Sequence, residues 1–182
     1  QNGFIYTPEA IREKITPNTK AVFINSPSNP TGTVIPEARM KEIVEVAKEY
    51  GLYIVSDEIY HGLTYEGKDH SILEFTDQAF VLNGFSKLFA MTGLRLGYLI
   101  APQKFVRALQ VLQQNFFICA NSVTQLAGAV ALTDADRETQ AMRDTYNERR
   151  KFMIRRLKEM GLSMMVEPTG AFYVFVNFKH IS

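Results

Sequence analysis

"NGFSKLFAMTGLRLGYLIAP", residues 83–102, holds one lysine, Lys87, and one arginine, Arg95, in an otherwise uncharged run. Gly84, Ser86 and Ala90 crowd the lysine, and Gly93 and Gly97 flank the arginine. Two cations in so cramped and apolar a segment need dedicated partners. The run opens inside "AFVLNG" (79–84), a strand candidate, and closes with "RLGYLIA" (95–101), another. About ten residues join them, which is short for a parallel crossover, so the second of these strands is expected to run antiparallel to the first.

The chain upstream alternates between strand and helix. "AVFIN" (21–25) is a short apolar strand followed by the loop "SPSNPTG". "PEARMKEIVEVAKEYG" (36–51) reads as a helix, with Pro36 at its first turn and Ile43, Val46, Ala47 and Tyr50 on one face. Gly51 suits the position just past its end. "LYIVSD" (52–57) is the next strand, so the order implies a right-handed parallel βαβ unit. Downstream, helices are expected over 102–117, 122–133 and 134–161. The second is rich in Ala and Gly, which permits close packing. The third is highly charged, and its thin stripe of Met142, Tyr146, Met153, Leu157 and Met160 suggests a partly exposed connecting helix. "AFYVFVNF" (171–178) reads as a strand opening a second layer or domain. The fold class is α/β, three layers, with a mostly parallel sheet and one antiparallel strand.

Strand order and direction alone gather a polar set on one rim. Asn29 follows the carboxyl end of the first strand, Asp57 ends the second with Tyr60 just beyond, Lys87 follows the third, and Arg95 begins the antiparallel fourth. Open α/β sheets bind ligands at such a rim. A guanidinium beside glycine-rich backbone suits a phosphate, and a lysine in an apolar pocket can form an imine. A carboxylate at the end of a buried strand needs a cationic or donor partner. Pyridoxal 5'-phosphate meets the three demands with its phosphate, its aldehyde and its ring nitrogen.

"NPTG" (29–32), "SDEIY" (56–60) and "GFSKLFAMTGLRLGY" (84–98) resemble, in this order, the motifs of the class I and II aminotransferases, fold-type-I pyridoxal-phosphate enzymes similar to aspartate aminotransferase. The resemblance implies that Lys87 is the Schiff-base lysine and that Asp57 pairs with the pyridine nitrogen. It also implies that Tyr60 and Asn29 bond the ring's phenolic oxygen, that Arg95 grips the phosphate, and that Ser86 assists. Where the family often has a serine phosphate donor, three residues before the lysine, this chain has Gly84. The implied reaction moves an amino group between an L-amino acid and a 2-oxo acid. A C–S β-lyase, or the aminotransferase-like effector domain of a transcription regulator, is the competing reading.

The same resemblance divides the chain into part of a large cofactor-binding domain (1–135), a long connecting helix (136–161) and the beginning of a small domain (162–182). It implies a homodimer, and "CANSVTQ" (119–125) resembles a family segment near the subunit boundary. The chain opens on Gln1 and stops just after a strand-like run, so it is expected to be an internal piece, inactive alone and lacking the arginine that holds the substrate's α-carboxylate.

The 182 residues are 46% hydrophobic, enough for a sizeable core, and the net charge of +1 argues against nucleic acid or anionic membrane as partner. Cys119 is the only cysteine, which excludes an internal disulfide and suits a reducing, cytoplasmic setting. It is expected in the core, as are Phe116 and Phe117. Tyr173 is expected to pack. His61, His70 and His180 lack metal-ligand spacing and read as surface or loop residues.

Overall fold

The computed structural model describes residues 3–179. Helix α1 (Pro8–Arg12) leads to strand β1 (Ala21–Asn25), helix α2 (Glu37–Glu49) and strand β2 (Tyr53–Asp57). Strands β3 (Ala79–Gly84) and β4 (Gly97–Ile100) follow, and then helices α3 (Gln103–Phe116), α4 (Ser122–Asp134) and α5 (Asp136–Glu159). A two-residue pair, β5 (Ser163–Met164) and β6 (Val176–Asn177), closes the described chain. The main sheet has the order β1-β2-β3-β4. β1, β2 and β3 are parallel and β4 is antiparallel to β3, in keeping with the short 85–96 connection.

The βαβ unit follows its sequence pattern. α2 starts behind Pro36 and buries Met40, Ile43, Val44, Val46 and Ala47. Tyr50 lies at its end and stays exposed. The helix stops in a Schellman arrangement: Leu52 N–H donates to the Ala47 carbonyl (2.8 Å) and Gly51 N–H to the Lys48 carbonyl (3.2 Å). Gly51 sits at φ +61°, a conformation glycine adopts without steric cost. The buried face of α2 meets Ile24, Ile54, Ala79 and Val81 from three strands, and Ile72 seals the end. Each such side chain contributes about 1.5–3 kcal/mol by leaving water. On the opposite face of the sheet, Tyr53, Phe80 and Phe105 of α3 pack ring against ring at 5.2–5.7 Å.

Several expectations change here. Arg95 is not the first residue of β4. It lies two residues ahead, in the left-handed region (φ 54°, ψ 48°), where a short 3-10 turn (Thr92–Leu94) ends. The 171–178 strand shrinks to Val176–Asn177, because the backbone before it pairs with loops instead. Ala171, at φ 54°, donates its N–H to the Leu63 carbonyl. Phe116 and Phe117 are 76% and 78% exposed, and Cys119 is exposed as well. All three sit at or beyond the end of the helix after the edge strand β4, where the apolar run outlasts the surfaces the described residues offer for burial. α5 is partly exposed as expected: Met142 and Tyr146 of the stripe pack against the cluster around Tyr60, Met153 and Met160 are exposed, and the buried residue is Ile154, outside the stripe. His61 and His70 lie in loops, as expected, and are partly shielded: His61 Nδ1 lies 3.4 Å from Glu58 Oε2, and His70 Nδ1 lies 3.0 Å from Glu74 Oε2. His180 lies outside the described residues. No helix among the described residues is long and apolar enough to cross a membrane.

The contact that most affects the rim is made by Gly32. Its carbonyl accepts the N–H groups of both Thr169 and Gly170, each at 2.9 Å, joining the loop after β1 to a segment over 130 positions away. Gly32 has φ +67°, and a Cβ there would stand 2.3 Å from Pro168 Cβ and 3.0 Å from the Gly170 carbonyl oxygen. Gly32→Ala is therefore expected to combine left-handed strain with a steric clash, at a total of roughly 2–4 kcal/mol. Chemical denaturation of the two proteins measures it, and an unchanged midpoint would show that the contact contributes nothing.

Candidate active site

The parallel strands put the carboxyl ends of β1, β2 and β3 on one rim, and the antiparallel β4 brings its amino end there. The register pairs Asn25 with Asp57, Asp57 with Leu82, and Gly84 with Gly97. Gly84 and Gly97 approach closely: a Cβ on Gly84 would stand 3.0 Å from Gly97 Cα and from the Leu96 carbonyl oxygen. A side chain here would have to move β4, which gives Gly84 a packing reason to stand where the related motif often has serine.

Asn25, which ends β1, organises the first part of the rim. Its Oδ1 accepts the Asn29 N–H at 2.7 Å, and its Nδ2 donates to the Asp57 carbonyl at 3.1 Å. The Ser26 N–H donates to that same carbonyl at 3.2 Å. The Asp57 carboxylate accepts the Ile59 N–H through Oδ1 at 3.2 Å. This is an aspartate turn, and no helix follows it.

Glu58 is a buried carboxylate, 2% exposed. Its Oε1 accepts Ser56 Oγ (2.9 Å), Ser71 Oγ (3.2 Å) and the Ile72 N–H (2.9 Å). A buried carboxyl group needs hydrogen-bond partners, and these donors tie the residue after β2 back to Ser56 and across to Ser71 and Ile72. Neither Asn25 nor Glu58 stands out in the sequence. Their signal is a polar residue at the last position of an apolar strand and an acid inside "SDEIY".

Tyr60 is only 3% exposed. Its Oη lies 2.5 Å from Tyr173 Oη, and Asn29 Nδ2 donates to both phenols, at 3.4 Å to Tyr60 and 3.2 Å to Tyr173. Burial, and then the bond to Tyr173, hold the Tyr60 phenol well above its ordinary range. Tyr173 therefore does more than pack. Its place depends on anchors that no local pattern reveals. The Arg150 guanidinium of α5 donates to the Pro168 carbonyl at 2.7 Å and pairs with Glu66 at 2.6 Å. Tyr65 Oη donates to the Ala171 carbonyl. Burial pushes the Tyr65 phenol up to about 12.

Lys87 follows β3, and its Nζ stands 5.7 Å from the Tyr60 ring centre and 5.8 Å from that of Phe172. The Tyr60 and Phe172 rings meet edge to face at 5.4 Å. The ammonium is thus in range of two aromatic π-systems. Ser86 and Arg95 are joined through Thr92, whose hydroxyl donates to the Ser86 carbonyl (2.7 Å) and whose carbonyl accepts Arg95 Nη1 (3.2 Å). Arg95 is exposed, and its remaining donors are available to an anion. The described contacts therefore make two groups. Asn29, Tyr60 and Lys87 form one, to which Asp57 is tied through Asn25. Ser86 and Arg95 form the other, on the connection between β3 and β4.

This donor set suits a small anionic aromatic aldehyde. It offers an amine beside aromatic faces, a carboxylate, two phenols and an amide, and a guanidinium on a tight turn.

The family model described as "Aminotransferase class I and II" matches residues 1–181. A (5-formylfuran-3-yl)methyl phosphate transaminase of Methanocaldococcus jannaschii is 43% identical over 176 residues, covering 94% of this chain and 46% of the relative. An aspartate aminotransferase of Pyrococcus horikoshii is 39% identical over 183 residues, covering 98% of this chain and 47% of the relative. The structure of Thermus thermophilus aspartate aminotransferase with maleate superposes with a TM-score of 0.95 at 36% identity, over 99% of this chain and 48% of that one. The chain thus spans about half the length of the relatives it matches, and it has the fold of the corresponding half of aspartate aminotransferase. By its sequence along almost its entire length and by its fold, the chain belongs to the class I and II aminotransferases.

Proposed function

We propose that this chain carries the cofactor-binding machinery of a pyridoxal-phosphate-dependent aminotransferase, which moves an amino group between an L-amino acid and a 2-oxo acid. The observation that carries the reading is the position of Lys87, whose Nζ lies beside Tyr60 and Phe172 at the edge of the Asn29–Tyr60–Tyr173 cluster. When bound, pyridoxal 5'-phosphate supplies an aldehyde carbon for a lysine and a protonated ring that withdraws electrons from a substrate's Cα–H bond.

The chain's own residues do the rest. The Lys87 amine takes the proton from the substrate's Cα and delivers it to the cofactor's C4′ carbon, two atoms further on, as base and then as acid. The Asp57 carboxylate keeps a proton on the ring nitrogen, and its backbone is held in place by Asn25 and Ser26. Tyr60 and Asn29 donate to the phenolic oxygen. Arg95 takes the phosphate in a two-pronged grip, and the Ser86 hydroxyl adds a donor. In this reading residues 1–135 belong to the cofactor domain, 136–161 form the connecting helix and 162–182 begin a smaller domain. The protein works as a cytoplasmic homodimer. One relative is named for aspartate and another for a formylfuran phosphate, which is an aldehyde, so the L-amino acid and the 2-oxo acid are proposed as classes and not read from those names.

Borohydride reduction of the natural gene product with its cofactor should leave the label on Lys87. Peptide mapping that finds it on Lys104 or Lys41 would refute the assignment. Asp57→Ala is expected to retain part of the cofactor and lose about 10²-fold or more in turnover, because the ring loses the group that keeps its nitrogen protonated. Near-normal turnover would remove Asp57 from the ring nitrogen. For Arg95→Ala the expected loss is in cofactor retention during dialysis, more than in the turnover of protein kept saturated with cofactor. Full retention would exclude the phosphate role.

A further inference from the structure

The side-chain amide of Asn25 touches two segments of the rim at once. Its Nδ2 donates to the Asp57 carbonyl at 3.1 Å, and its Oδ1 accepts the Asn29 N–H at 2.7 Å. These partners fix which way the amide faces, since a carbonyl can only accept and a backbone N–H can only donate. The two contacts differ in what else supports them. The Asp57 carbonyl also accepts the Ser26 N–H, and Asp57 is paired with Asn25 and Leu82 in the sheet. The Asn29 N–H has one partner among the described residues, the Asn25 side chain. Pro27 and Pro30 carry no N–H, so residues 27–30 hold two backbone donors. Ser28 gives its donor to the Thr33 carbonyl at 2.9 Å, and Asn29 gives its own to Asn25.

We propose that Asn25 is a positioning residue: anchored on the Asp57 carbonyl, its amide holds the Asn29 backbone so that the Asn29 side chain meets the phenolic oxygen of bound pyridoxal phosphate. The inference rests on the functional reading above and deepens it. The contacts close into a circuit. Asn25 holds the Asp57 carbonyl, and the Asp57 carboxylate accepts the Ile59 N–H at 3.2 Å. The next residue, Tyr60, has its phenol 3.4 Å from Asn29 Nδ2, and the Asn29 N–H returns to Asn25. Without the Asn25 oxygen, Asn29 loses the contact that ties its backbone to the end of β1. The ionisable groups around the circuit are Asp57, Tyr60, Tyr173, Lys87 over the Tyr60 ring, and Tyr6, whose oxygen accepts the Asn25 N–H at 3.3 Å.

The test reads a spectrum of the cofactor-loaded gene product. A donor to the cofactor's phenolic oxygen competes for that oxygen with the proton on the Lys87 nitrogen. Losing the donor lets the nitrogen keep its proton to higher pH, so the midpoint of the pH-dependent change in visible absorbance rises. Asn29→Ala should raise it by roughly half a unit to one unit, the size of one net hydrogen bond. Asn25→Ala should raise it by part of that shift. Added to Asn29→Ala it should raise it no further, since Asn25 acts through the Asn29 side chain. Asn25→Ser leaves a polar group at the strand end that stops one bond short of the lost oxygen. It should raise the midpoint as Asn25→Ala does, which keeps the test open if the alanine variant folds poorly. Hydrogen exchange gives a second readout: the Asn29 amide should exchange faster in either Asn25 variant, with exchange in α2 unchanged. An unmoved or lowered midpoint in the Asn25 variants, an added shift in the Asn29→Ala background, or unchanged exchange at Asn29 overturns the proposal. With the borohydride label on Lys87 and the midpoint raised in Asn29→Ala, such a result removes only the role of Asn25. Without the label, or with Asn29→Ala unmoved, the reading beneath it fails as well.

Discussion

One backbone acceptor holds the candidate site together. The Gly32 carbonyl receives two N–H groups from Thr169 and Gly170, and no side chain could stand between them. The loop after β1 and the segment after α5 are thereby locked edge to edge, at the place where each delivers a polar residue: Asn29 from one side and Tyr173 from the other. Backbone hydrogen bonds suit this task, because they do not depend on a flexible side chain choosing a rotamer. The buried Arg150, bonded to the Pro168 carbonyl and to Glu66, reinforces the lock from α5.

The rim behind that lock is stiffened by polar groups that are satisfied internally. Asn25 spends both ends of its amide on Asp57 and Asn29. Glu58 is surrounded by donors and faces His61. Buried amides and carboxylates are costly when unpaired and orienting when paired, so these two residues trade solvation for a fixed strand end. The consequence for chemistry is that the Asp57 carboxylate and the Tyr60 phenol project from backbone with little freedom to move. Preorganisation of this kind makes a modest set of hydrogen bonds effective at a reacting centre.

Much of this was legible in the residues. The strand–helix–strand pattern, the stop at Gly51, the antiparallel β4 and the shared rim all follow from periodicity, turn chemistry and the length of one connection. The motif residues around Lys87 resemble those of the family to which the chain belongs. Other features were not legible. The 171–178 run looks like a strand because its aromatic and β-branched residues suit a pleated surface, yet its first donor, the Ala171 N–H, goes to the Leu63 carbonyl, and the two residues before it are bonded to Gly32. Phe116, Phe117 and Cys119 look like core, since hydrophobicity says that a residue prefers burial and says nothing of whether a surface is there to receive it. The stripe on α5 reads as a partly exposed face, and Met142 and Tyr146 do pack against the Tyr60 cluster, but the pattern does not single out Ile154, which is the buried residue of the helix.

The sequence by itself determined most of the elements, the directions of the main-sheet strands and which functional groups the rim offers, because these depend on local propensity, on spacing and on which side chains are present. The tertiary structure decided which distant residues share atoms: Tyr173 with Tyr60, Arg150 with Pro168, and Glu58 with Ser71 and Ile72. Such pairings are set by how loops close over the end of a sheet. Loop closure is governed by backbone hydrogen bonds and steric fit between segments far apart in the chain, and neither leaves a periodic trace in the order of the residues.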